Sequence, residues 1–170
     1  SFSCLPGMGG APLAAIAMGK GDNALAQRYL GNALTMLLTM SLVLTAGFRL
    51  FLEPLLTLFG GNSGTLPYAV GYLRIYLMGT LFSQLATGLN SFINTQGFTG
   101  IGTMTTLVGT VLNVVLDPIF IYGLGMGIKG AAIATVISQF VSAAWVMWFF
   151  LSDRSILRLT LADMKPDRQV

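Results

Sequence analysis

Asp117 lies within an apolar run, four residues after Asn113 and directly before Pro118. An ionised carboxylate in hydrocarbon is costly unless it faces a wet cavity or a partner, so an acid in such a run is read first as functional. The i, i+4 spacing puts Asn113 and Asp117 on one helical face. Pro118 removes a backbone N–H and frees a carbonyl beside that face, which enriches it in oxygen. On the following apolar run, Thr135 and Gln139 repeat the i, i+4 relation. Counted from the intervening loop, Asp117 lies about 5 residues inward, Thr135 about 7 and Asn113 about 9, roughly 7 to 14 Å at helical rise. The spacing therefore predicts that Asn113, Asp117 and Thr135 converge. A carboxylate with amide and hydroxyl oxygens suits a hard cation such as Na⁺, or takes up and releases a proton. Either supports ion coupling. The plainer alternative is an interfacial acid, solvated and paired with a base such as Lys129.

Other polar and adaptable groups carry weaker signals. Gln84, Asn90 and Asn94 sit on an earlier apolar run, where Asn90 and Asn94 share a face and either line a cavity or bond between helices. Met104, Met126 and Met147 read as apolar packing. Gly127, Ala131 and Thr135, with Gly130 and Ala134, form small-residue rows that permit close helix approach. Arg74 reads as a snorkelling anchor.

The elements that must hold these side chains are long and nearly free of charge. The chain of 170 residues is 54% hydrophobic and 9% charged, where soluble domains carry about 25% charge, and its mean hydropathy is +0.76. That composition excludes a water-soluble surface and points to several membrane spans. With no His and a single Cys, a His-based triad, an internal disulfide and a multi-Cys zinc site are excluded, and no cofactor is expected. The nine Lys and Arg are scattered without an aromatic-interleaved patch, so nucleic acid is not an expected partner and the bilayer is.

Charge-free runs divide the chain. Ser1 to Gly19 reads as the tail of a truncated helix, and Lys20 to Arg28 as an aqueous loop in which Asp22 can cap the next helix. Tyr29 to Phe48 is uncharged for 20 residues, enough to cross the hydrocarbon core. LFLEPLLTLF is short and reads as an interfacial helix. Between Arg74 and Asp117 no charge occurs for 42 residues, which suits two spans, Tyr68 to Ile93 and Thr103 to Tyr122, divided at the turn NTQGFTGIG. Gly130 to Leu151 makes the last span, with Trp145 and Trp148 in the belt region. Ser152 to Val170 reads as a polar tail. Alternate crossings gather Lys20, Arg28, Arg154, Arg158, Lys165 and Arg168 on one side and leave Arg49, Arg74 and Lys129 on the other. The basic excess marks the tail side as cytoplasmic.

The runs LGNALTMLL, FLEPLLTLFG, YLRIYLMGTLF, LNSFINTQG and, most specifically, LNVVLDPIFIYGLGMGIKGAAIATVISQ resemble the multidrug and toxic compound extrusion (MATE) family of secondary transporters. The likeness runs from about Gly7 to Arg158. It implies an all-α, polytopic transmembrane helix bundle, part of a six-helix lobe of a twelve-helix transporter. Residues 1–151 resemble a partial N-terminal lobe, helices two (partial) to six, and 152–170 a cytoplasmic tail or inter-lobe linker. The implied activity is export of organic, often cationic, compounds in exchange for Na⁺ or H⁺ across the cell (inner) membrane, without catalysis of a covalent reaction. Asn113, Asp117 and Thr135 match the coupling-ion site of the family's N-terminal lobe, whose further acid belongs to a helix one that this sequence lacks. Asn90 matches a cavity-lining amide of helix four, and Gln139 is placed with it in the substrate cavity. The absent helix one and C-terminal lobe are the implied partners. A lipid-linked or polysaccharide flippase of the same superfamily is the alternative, although such proteins commonly carry deep intramembrane bases. An intramembrane aspartyl protease needs two carboxylates able to share a proton, and a purely structural membrane subunit is the remaining alternative.

Overall fold

The computed structural model describes residues 4–58, 64–152 and 155–157, and the charge-free runs fold there as helices longer than the runs themselves. Helix α1 spans Cys4–Gly19, α2 Asn23–Leu50, α3 Leu52–Leu58, α4 Leu66–Thr95, α5 Thr99–Pro118 and α6 Gly127–Leu151, with a π-helical turn, Ile119–Gly123, continuing α5. The extra length has local causes. The Asp22 side chain accepts from the Leu25 backbone N–H at 3.0 Å, so α2 starts at Asn23 and takes in Arg28. The expected loop from Lys20 to Arg28 contracts to three residues accordingly. A 28-residue helix reaches about 42 Å, past the hydrocarbon and into the headgroups, where Arg28 and Arg49 find water. The turn expected over Asn94 to Gly102 likewise contracts to Gln96, Gly97 and Phe98, the glycine at φ 86°.

By length and composition α2, α5 with its π turn, and α6 each suffice to cross a bilayer. The expected fourth span, α4, has the length at 30 residues but is more polar than these three. Its position accommodates part of that polarity: α4 packs against α1, α2, α3, α5 and α6 and buries Gln84 among them. The interfacial segment folds as α3, whose Glu53 Oε1 accepts from Arg74 Nη2 at 3.3 Å. Both side chains are exposed, so this ion pair is worth at most about 1 kcal/mol. Arg74, expected as an anchor alone, thus also has a partner.

The core gathers toward one end. Ala11, Ala14 and Ala17 of α1 are buried and small, letting α1 approach Leu30, Leu34 and Leu37 of α2 and Leu89, Phe92 and Ile93 of α4. Val146, Phe149 and Phe150 of α6 close the same cluster. At this end the chain leaving α6 folds back on the α4–α5 turn. Gln96 Oε1 accepts from Ser155 Oγ (3.0 Å), Ile156 N (2.8 Å) and Leu157 N (3.2 Å), while Gln96 Nε2 donates to Phe92 O at 3.3 Å. Leu157 is 0% exposed. The polar tail expected from Ser152 therefore opens with a packed stretch; Arg154, Arg158, Lys165 and Arg168 lie outside the described residues, as do Gly60 to Ser63.

Farther along the bundle α4, α5 and α6 turn polar groups toward one another. The outer face of α5 exposes Met104, Leu107, Val111 and Val114, which in a bilayer meets a matching solvent. Met104 and Met126 are exposed rather than packed, whereas Met147 lies on the core.

Candidate functional site

Pro118 sets the local geometry. It cannot donate to the carbonyl one turn back, and the helix responds by widening into the π turn, closed by Leu124 N donating to Ile119 O at 2.9 Å. Such turns are frequent at functional sites. The widened segment can sit close to α6 because Gly130 has no side chain: a Cβ there would stand 2.7 Å from the Phe120 carbonyl oxygen. Asp117 occupies the last α-helical turn before this widening.

The three residues expected to converge do so. Asn113 Nδ2 donates to Asp117 Oδ1 at 3.3 Å and to Thr135 Oγ1 at 3.2 Å. Thr135 Oγ1 in turn donates to Ala131 O at 2.9 Å. All three side chains are half-buried. The pairing of Asp117 with Lys129 does not form: the ion pair among the described residues joins Arg74 to Glu53, and the Lys129 stem lies over Gly71 instead. Among the described residues no cluster of three His, Cys, Asp or Glu side chains could hold a metal ion, so any cation here would meet one carboxylate and neutral oxygens.

Beside this cluster lies a cavity of about 410 Å³ between α4, α5 and α6. Asn113 and Thr135 line it, and so do the other two expected residues, Asn90 and Gln139. Its remaining polar lining is hydroxyl, supplied by Ser83 and Thr87 of α4, Thr105, Thr106 and Thr110 of α5, and Ser138 and Ser142 of α6. The lining includes no formally charged side chain. Its hydrogen-bonding character is nonetheless one-sided. Thr105, Thr135 and Ser138 spend their hydroxyl hydrogens on the carbonyls of Ile101, Ala131 and Ala134 in their own helices, leaving lone pairs for the cavity. Asn90 Nδ2 donates to Gly102 O at 3.1 Å, while Asn90 Oδ1 and Gln139 Oε1 are buried without a donor against Gly102 and Gly79, closed to the cavity, whose acceptors are the hydroxyls. The cavity is thus rich in acceptors. Gln84 is also buried, but it does not line this cavity.

Tyr72 lies on α4 outside this cavity, four residues from both Tyr68 and Tyr76. Its ring stacks on Tyr76 with centroids 5.8 Å apart and planes inclined by 14°.

Known proteins resemble this chain in sequence and in fold. The MatE family model matches residues 1–119. The chain is 31% identical over 151 residues to the FAD transporter of Shewanella oneidensis, covering 86% of this chain and 33% of that protein. It is 29% identical over 118 residues to the multidrug export protein MepA of Staphylococcus saprophyticus, covering 69% of this chain and 26% of that protein. An inward-facing multidrug resistance MATE family transporter of the MOP superfamily superposes with a TM-score of 0.92 at 27% identity, over 98% of this chain and 38% of that one. The 170 residues span a quarter to a third of the length of these curated relatives.

Proposed function

Because this chain belongs to the MatE family, we propose that it forms part of a secondary transporter that exports organic, often cationic, compounds in exchange for Na⁺ or H⁺. The observation that carries this reading is the junction of a carboxylate cluster with an acceptor-rich cavity. Asn113, Asp117 and Thr135 offer the coupling ion one negative charge and neutral oxygens. Next to them, outward lone pairs of the cavity hydroxyls favour a ligand that donates hydrogen bonds or carries positive charge. Occupation of one position then alters the field at the other, which is the physical basis of exchange. Segments outside these 170 residues complete the ion site and the opposing wall, and the bundle works by rocking against that partner. We place the assembly in the cell membrane.

The cavity lining has no base to hold an anionic headgroup or a dinucleotide phosphate, so the cationic reading is favoured over a flippase and over the cargo named for the Shewanella relative. The test uses the full-length protein in liposomes loaded with a fluorescent organic cation, with Na⁺ and pH gradients imposed in turn. Cation movement driven by at least one gradient is the expected result. Correctly inserted protein that moves no cation under either gradient would overturn the proposal.

A further inference from the structure

The cavity wall carries three side-chain amides, and they are not equally free. Asn113 gives its hydrogens to Asp117 and Thr135. Asn90 gives one to Gly102 O and turns its Oδ1 onto the same glycine. Gln139 makes no hydrogen bond: its Oε1 is buried without a donor, and its Nε2 is left open. What holds this amide is a seat on α4. Gly79 is buried, and a Cβ there would collide with Gln139 Oε1 and stand 2.9 Å from Val136 Cγ2, one turn before Gln139 on α6. The seat thus offers a Cα hydrogen and a methyl group. An amide oxygen accepts such a hydrogen weakly, whereas an NH2 group in its place would bury two donors against no acceptor. The cavity side requires the same orientation. Thr135 and Ser138, which line the cavity beside Gln139, spend their hydroxyl hydrogens on backbone carbonyls. An amide oxygen turned inward would meet their lone pairs, and an NH2 group complements them.

We infer that Gln139 is a fixed hydrogen-bond donor in the cavity wall and selects cargo that carries an acceptor, such as a carbonyl oxygen or a ring nitrogen, in addition to the groups that the hydroxyl lone pairs receive. The inference rests on the transport reading above and narrows its cargo. A hydroxyl with a free rotor donates or accepts as the ligand requires, so it discriminates little. An amide locked from behind does discriminate, because a ligand that brings no acceptor leaves a desolvated donor unpaired. Gly79 acts through Gln139 and is a positioning residue: its bare Cα fixes which edge of the amide faces inward. The cavity, at about 410 Å³, has the size of a small-molecule site.

The experiment uses detergent-purified full-length protein and two organic cations of equal charge and closely similar shape. (4-Acetylphenyl)trimethylammonium carries a carbonyl oxygen where (4-isopropylphenyl)trimethylammonium carries a methyl group. Dissociation constants are measured by calorimetry without a gradient, and the readout is their ratio, isopropyl over acetyl, in which detergent partitioning cancels between variants. In Gln139→Met the ratio should fall about two- to tenfold, the worth of one net hydrogen bond, while the isopropyl compound keeps or gains affinity. Gln139→Glu retains the shape and at alkaline pH offers acceptors alone, so it should lower the ratio as well and serves if Gln139→Met does not fold. Gly79→Ala keeps the amide but displaces it from its seat, and should lower the ratio too. A folded Gln139 variant with the native ratio, or with both compounds weakened equally, assigns the side chain to packing and overturns the inference. Native protein that binds neither compound overturns it too. Native protein that shows the expected change of ratio with its variants, yet moves neither cation under a Na⁺ or pH gradient, sinks the transport reading and leaves the selector standing.

Discussion

Asn113 spends its amide hydrogens on Asp117 and Thr135 together, so the carboxylate is met by a donor. To give a cation an oxygen instead, that amide must turn over about its terminal torsion, a motion open to an Asn side chain. Asp117 is the single formal charge in the cluster, and replacing it by Asn keeps the shape while removing the charge. In the full-length protein Asp117→Asn should lower gradient-driven efflux by at least about tenfold, the factor that 1.4 kcal/mol represents, with membrane expression retained. Thr135→Ala should cost less, about two- to tenfold, because one neutral ligand is replaceable by water. Efflux at native rate and native ion dependence in Asp117→Asn would retire the coupling role even with family membership intact. The convergence of these residues was legible because i, i+4 spacing and depth along two neighbouring runs are arithmetic. The acceptor bias of the cavity was not, since it depends on where each hydroxyl hydrogen goes, and Thr105 and Ser138 turn theirs to carbonyls that only the folded helix presents.

The helices themselves were legible from the absence of charge, because an uncharged run near 20 residues has few alternatives in a bilayer. Their ends were legible in part: the Asp22 cap and the continuation past Pro118 were expected, but not that α2 takes in both Arg28 and Arg49 on its way to the headgroups. The π turn depends on close contact with α6 at Gly130, where an added Cβ would press on the carbonyl of Phe120 rather than on a side chain that can yield. Gly130→Ala should therefore destabilise the full-length protein by about 1–3 kcal/mol, the usual cost of overpacking, and thermal unfolding in detergent will read it as a lowered midpoint. An unchanged midpoint would show that the π turn has slack. The small-residue row through Gly130 and Ala134 thus has a particular tenant, a backbone rather than a neighbouring side chain.

The helix ends sort into two groups across the membrane. Lys20, Gln96 and the residues after α6 share one end, while α3, the Arg74–Glu53 pair and the loop after the π turn share the other. From the basic excess we propose that the first group faces the cytoplasm. With Cys4→Ser as background, Leu124→Cys should react with a membrane-impermeant maleimide in intact cells and Lys20→Cys only after permeabilisation; the reverse pattern would invert the orientation. The contact of Gln96 with Ser155, Ile156 and Leu157 joins positions 59 to 61 residues apart, and no local sequence pattern announces a partner at that distance. Its donors reach the acceptor only after α5 has crossed outward and α6 has returned. Slow hydrogen exchange at the Ile156 and Leu157 amides is accordingly expected in the native protein and should be lost in Gln96→Ala, with α1 and α2 unaffected. During synthesis the same contact acts as a receipt for insertion: a chain whose last hairpin has stalled outside the bilayer, however helical, leaves those two amides open to solvent.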